Sequence, residues 1–119
     1  MPPINGMGDL WVEVKTADFT IVSRTDVGKV FTNQGAAGTI VAQLPAATVG
    51  QRYSFVVKAA QAFRLEPAGT NTIALASGVQ QAAGKYIWAD AIGERIDLEC
   101  VKDGEWDTAR AVGTWGVEA

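Results

Sequence analysis

The residues with chemical potential gather late in the chain: one thiol at Cys100, seven carboxylates at Asp90, Glu94, Asp97, Glu99, Asp103, Glu105 and Asp107, and three of the four tryptophans. A thiol can act as a nucleophile, and paired carboxylates can cleave a glycosidic bond or hold calcium. Exposed indoles can stack on sugars or pack against another subunit. Spacing argues against the first two. Cys100 shares its alternation with Ile96 and Leu98, which assigns the thiol to the apolar face of a strand, and a chain without histidine has no imidazole to activate it. The carboxylates lack calcium-loop spacing, and in IDLE they alternate with apolar residues, so they read as a solvated strand face and turns. No catalytic or metal-ligating residue is assigned, no cofactor is called for, and the chain reads as non-enzymatic. The glycine-containing GTIVAQLPAATVG has no Lys-Ser/Thr partner, so it is not a phosphate loop.

The aromatic residues are the stronger candidates. Trp11, Trp88 and Trp106 can pack in a core, meet a neighbouring subunit or face a glycan; Tyr86 alternates with Trp88, so the two share a face. Both the subunit-contact and the sugar-platform reading stand at this point.

The elements that must position these residues are short and extended. LWVEVK, DFTIVSR, KVFTN, TIVAQL, RYSFVVK, FRLEP, NTIAL, KYIWA, RIDLECV and RAVGTWGV are Val/Ile/Phe-rich runs separated by glycine-, proline- and aspartate-containing turns. Leu44 ends a strand at Pro45, which lacks a ladder donor, and Gly50 permits the bend into Arg52–Lys58. There Tyr53, Phe55 and Val57 point one way while Val56 is apolar on the other face, the mark of a central strand. Asp103-Gly104 fits the two-residue turn of a type I′ hairpin. AAQAF and VQQAAG are too short to hold more than one helical turn. The expectation is an all-β fold, a small antiparallel sandwich or jelly-roll-like barrel with a flexible N-terminal arm. Residues 1–17 form the arm and first strand, and residues 18–119 the β-sandwich domain.

The bulk properties agree with a single domain that acts without nucleic acid or membrane. A chain of 119 residues, 48% hydrophobic and 19% charged, can bury a core. Its net charge of −3 and scattered basic residues suit neither nucleic acid nor an anionic membrane surface. MPPINGMGDLWVEVK lacks a secretory leader's basic and apolar segments, which points to synthesis in a cytosol. The lone cysteine leaves stability to packing or to association between chains.

The order GKVFTNQGAAGTIVAQLPAATVGQRYSFVVKAAQAFRLEPAGTNTIAL, then GKYIWADAIGERIDLECVKDGEW, then GTWGV resembles a β-rich domain of virion structural proteins of tailed bacteriophages. Such domains occur in capsid decoration and head-fibre proteins and near the C-termini of tail-fibre proteins. The similar region runs from Asp18 to Val117, with LPAA-x-x-G-x-x-Y-x-F-x-V and the closing G-T-W as its motifs. The resemblance implies a non-catalytic, trimeric virion protein on the capsid exterior, with the major capsid protein as partner. A chain that reaches this region so soon after Met1 suits a free-standing decoration protein better than a fibre tip. The arm residues Pro2, Pro3, Ile4, Met7 and Leu10 are then the expected capsid contacts. The rival expectation is a tail-fibre or receptor-binding module that meets host-surface glycan through Trp11, Tyr86, Trp88 or Trp106.

Overall fold

The alternating segments become eleven strands in a computed structural model that describes residues 11–23, 25–75 and 78–119. They are β1 (Val12–Val14), β2 (Phe19–Thr20), β3 (Val30–Thr32), β4 (Ile40–Gln43), β5 (Arg52–Val56) and β6 (Phe63–Glu66). Then come β7 (Thr72–Ala74), β8 (Ile87–Ala89), β9 (Arg95–Lys102), β10 (Glu105–Val112) and β11 (Gly116–Val117). None of the described residues is helical. The molecule is a two-sheet β-sandwich: one sheet has the order β1-β3-β5-β9-β10-β7, the other β11-β8-β6-β4-β2.

From β1 to β8 the chain changes sheet at every connection. Each strand therefore returns to its own sheet only after a visit to the opposite one; through β6 it returns in the same direction, whereas β8 comes back antiparallel to β6. β1, β3 and β5 are parallel neighbours in one sheet, and β2, β4 and β6 in the other, a coil of three rungs. This corrects the antiparallel expectation: both sheets are mixed, and five of the nine pairings are parallel. The one pair of strands adjacent in sequence that also bond to each other is β9–β10. It is joined by the two-residue Asp103-Gly104 turn, with Gly104 at φ +87° where a side chain would be strained. The RAVGTWGV segment also divides. Its first part ends β10, and after Gly113 the chain crosses to β11 in the other sheet, burying Trp115 on the way.

The parallel rungs stack like residues. Phe31 and Phe55, in register on β3 and β5, lie 5.7 Å apart with rings nearly parallel. Phe19 meets Phe31 at 5.1 Å, and Phe63 meets the edge of Phe55 at 5.8 Å. Fully burying each such ring stabilises the fold by about 1.5–3 kcal/mol. β5, central as its two-faced pattern requires, contributes Tyr53 and Phe55 to the same core as Leu65, Ile87, Ile96 and Leu98.

Rung corners need their own hydrogen bonds, because backbone leaving a strand loses its ladder partner. Asn33, wholly buried at the end of β3, meets that need for the corner after β5. Its Oδ1 accepts from Lys58 N (2.7 Å) and Ala59 N (3.0 Å), while Nδ2 donates to the carbonyls of Ala59 (3.3 Å) and Gln61 (3.2 Å). Glu94 does the same across another gap, with Oε1 accepting from Ala91 N (2.9 Å) and Oε2 from Thr114 N (2.8 Å).

Candidate functional site

Register shows what the outer face of the β1-side sheet presents. Val14 lies beside Thr32, Thr32 beside Val56, Val56 beside Arg95 and Arg95 beside Val112, a row crossing five strands. The next row runs Val12, Val30, Ser54, Asp97 and Arg110. Val12, Val14 and Val112 are 50%, 53% and 44% exposed, and a shallow depression of about 230 Å³ opens among Val12, Val30 and Val56. The outward positions of a sheet facing water are ordinarily polar. This row is apolar except for Thr32 and Arg95, and Arg95 turns its Nε toward Asp97 at 3.1 Å.

At the margin of this face the first rung is tied down by Lys29. Its Nζ sits 2.6 Å from Asp26, 2.7 Å from Glu13 on β1, and 4.1 Å from the centre of the Trp11 ring. Burial works against the ammonium, but the two carboxylates outweigh it and hold the Lys29 pKa above its ordinary value. The Lys29 hydrogen bond, with help from Lys15 and against a smaller effect of burial, holds Glu13 below its ordinary value. Trp11 is accordingly half-buried, with one indole face already occupied by Lys29.

A second surface lies on the outer face of the other sheet. Arg64 on β6 pairs with Trp88 on β8, and Trp88 pairs with Gly116 on β11. The indole rests directly on Gly116, where an added Cβ would fall 2.8 Å from Trp88 Cε2 and Nε1. Glycine alone lets the ring lie flat there. Tyr86, two residues before Trp88 on the same face, receives the Arg64 guanidinium 4.2 Å over its ring. Glu118 completes the wall: its Oε1 accepts from Tyr86 N at 3.2 Å, and its N donates to Tyr86 O at 2.9 Å. Together they line an open depression of about 420 Å³.

The structure thus joins Tyr86 and Trp88 in one groove and separates them from Trp11 and Trp106. Trp106 is a correction. It is wholly buried beside Ile73, with its ring 5.7 Å from Tyr53, and cannot touch a glycan or a neighbouring subunit. An unbroken hairpin register from the Asp103-Gly104 turn would set Trp106 against Val101, which is 64% exposed. A register shift between Glu105 and Asp107 turns Trp106 inward instead. Its Nε1 has no hydrogen-bond partner among the described residues.

Cys100 is buried as its alternation requires; burial pushes the thiol pKa up, and Sγ donates to Lys102 O at 3.1 Å. The late carboxylates are dispersed. Asp97 pairs with Arg95, Glu99 with Arg52, Glu105 with Lys102, while Asp103 accepts from Val49 N and Asp107 from Gln80. No group of three metal-ligating side chains occurs among the described residues. The arm contacts Pro2, Pro3, Ile4, Met7 and Leu10 lie outside the described residues. Arg64, Gly116 and Glu118 escaped the reading of the sequence. Alternation in FRLE shows that Arg64 points outward, but only the pairing of β6 with β8 and of β8 with β11 brings these residues to Trp88.

No protein-family model matches this chain, and no curated protein matches it.

Proposed function

We propose that this chain is a non-catalytic structural protein of a tailed-bacteriophage virion, a homotrimeric decoration or head-fibre protein that binds the capsid exterior. The observation that supports this reading is the valine-rich row on the outer face of the β1-side sheet. A two-layer sandwich buries only its inner faces, so exposed Val12, Val14 and Val112, with Val12 at the lip of a shallow depression, invite a covering surface. In the proposal another copy supplies it. β1 is the edge strand of that sheet, and in the proposal the residues that precede it in sequence, Pro2, Pro3, Ile4, Met7 and Leu10 among them, make the contacts with the shell protein. Three arms on one rigid body bind far more durably than one, since the second and third attachments are intramolecular.

Sedimentation equilibrium tests the assembly and pelleting with purified capsids tests the docking. A trimer is expected, and Val14→Glu combined with Val112→Glu should yield a folded monomer with unchanged circular dichroism. Deleting residues 1–9 should preserve the trimer and abolish co-pelleting with capsids. A wild-type chain that stays monomeric at all concentrations, or a deletion that pellets as before, rejects the proposal.

A further inference from the structure

The groove on the opposite sheet contains an arginine and a glutamate that line the same space without pairing with each other. Among the described residues, the Arg64 guanidinium makes no ion pair; it stacks on Tyr86, which leaves the N–H edge of the fork free. Glu118 spends Oε1 on Tyr86 N, and Oε2 meets no hydrogen-bond or ion-pair partner among the described residues. Between them lies Trp88, 36% exposed, its inner face held against Gly116. We propose that this groove binds an uncharged pyranose ring. The C–H face of the sugar lies on Trp88, and vicinal hydroxyls accept from the Arg64 fork and donate to the free oxygen of Glu118.

Three features select this ligand class. A donor fork and an acceptor in one site match a diol, which offers both functions at its edge, whereas a strongly charged ligand of either sign would meet one like charge. The flat apolar platform adds burial that salt does not screen. A zwitterion such as a peptide could satisfy both charges, but in so open a groove such pairs are worth little against hydration and screening. The volume, about 420 Å³, is at the lower end of the roughly 300–1,000 Å³ of small-molecule sites and suits a ring or two. This proposal stands apart from the assembly reading, since it uses the other sheet.

The test is titration of the full chain with the methyl glycosides of glucose, galactose and mannose, read by saturation-transfer NMR and tryptophan fluorescence. At least one glycoside should bind with a dissociation constant on the order of millimolar. Trp88→Ala and Arg64→Lys should each weaken it roughly tenfold, the scale of one aromatic contact or one lost bidentate pair. Circular dichroism checks that both fold, and Glu118→Gln, a near-isosteric change, provides a third variant. Methyl glucuronoside and glucosamine should bind more weakly than their neutral parent. No transfer to any of the three neutral glycosides, binding unchanged in Trp88→Ala, or displacement of the sugar by diglycine overturns the proposal. Sedimentation in the same buffers reads the oligomeric state separately, so a failure here and a failure of the assembly reading are distinguishable.

Discussion

Replacing Lys29 by methionine tests whether the first rung depends on a buried cation. The Lys29 side chain is 7% exposed and that of Asp26 11%, so their 2.6 Å contact is nearly free of solvent screening. Glu13, at 33% exposure, is partly screened, and its 2.7 Å contact adds no more than about 1 kcal/mol. Removing the ammonium leaves the Asp26 carboxylate buried with one backbone donor, Val22 N at 2.7 Å. Breaking one side of such a pair costs about 3–5 kcal/mol, a large part of the roughly 5–15 kcal/mol that holds a domain folded. Guanidinium unfolding followed by tryptophan fluorescence reads the loss directly. Adding Asp26→Asn to Lys29→Met removes the stranded charge, keeps an acceptor for Val22 N, and should restore at least half of it. The sign with pH is fixed. Because the folded Lys29 pKa is raised, its contribution is complete below the unfolded value of 10.5 and disappears as pH climbs through the folded value. Glu13 is lowered, so its contribution is complete above 4.5 and disappears as pH falls through its folded value. A Lys29→Met chain within about 1 kcal/mol of the parent would behave as a surface pair does and would refute the reasoning.

Asn33→Ala should cost about 2–5 kcal/mol in the same unfolding assay, since it strands the Lys58 and Ala59 N–H groups at a buried corner; a loss below about 1 kcal/mol would mean that water replaces the amide. Tyr53, wholly buried and donating to Gln51 Oε1 at 2.7 Å, has its pKa pushed up to about 12 by burial and then by Asp26. The neutral phenol favours the folded state, so stability should fall by about 2 kcal/mol between pH 10 and 12, and Tyr53→Phe should flatten that fall. An equally steep decline in Tyr53→Phe would place its origin elsewhere.

The strands and the facing of their residues were largely legible, whereas their partners were not. Alternation in RYSFVV and RIDLEC is a local property of the pleat, and the core residues Tyr53, Phe55, Ile96, Leu98 and Cys100 follow from it. Whether a turn keeps the chain in its sheet or moves it across the sandwich is not local. The connections from β3 to β4, β4 to β5 and β5 to β6 contain glycine or proline like hairpin turns, or neither, yet all three cross to the other sheet. Length separates them from Asp103-Gly104, the two-residue link that does return to its neighbour. Trp106 shows the same limit inside a hairpin that was read well: one register shift reverses which face a side chain meets. The groove was half visible for this reason. Tyr86 and Trp88 share a strand face by spacing, while Arg64, Glu118 and Gly116 arrive from other strands.

The stacked coil of β1 to β6 also has a consequence for how such a molecule could be lengthened. From one parallel strand to the next, the matched positions Phe19, Ala42 and Leu65 advance 23 residues at each step in one sheet, while Val12, Val30 and Ser54 advance 18 and then 24 in the other. Each step adds one strand spacing, about 4.8 Å, to both layers at once. A grafted unit of 23 or 24 residues, the step of the two later rungs, with a phenylalanine to continue the inner column and an asparagine at its corner, would extend the body by a fixed increment. The β9–β10 closure would be undisturbed, which makes the scaffold a molecular ruler adjustable in whole units.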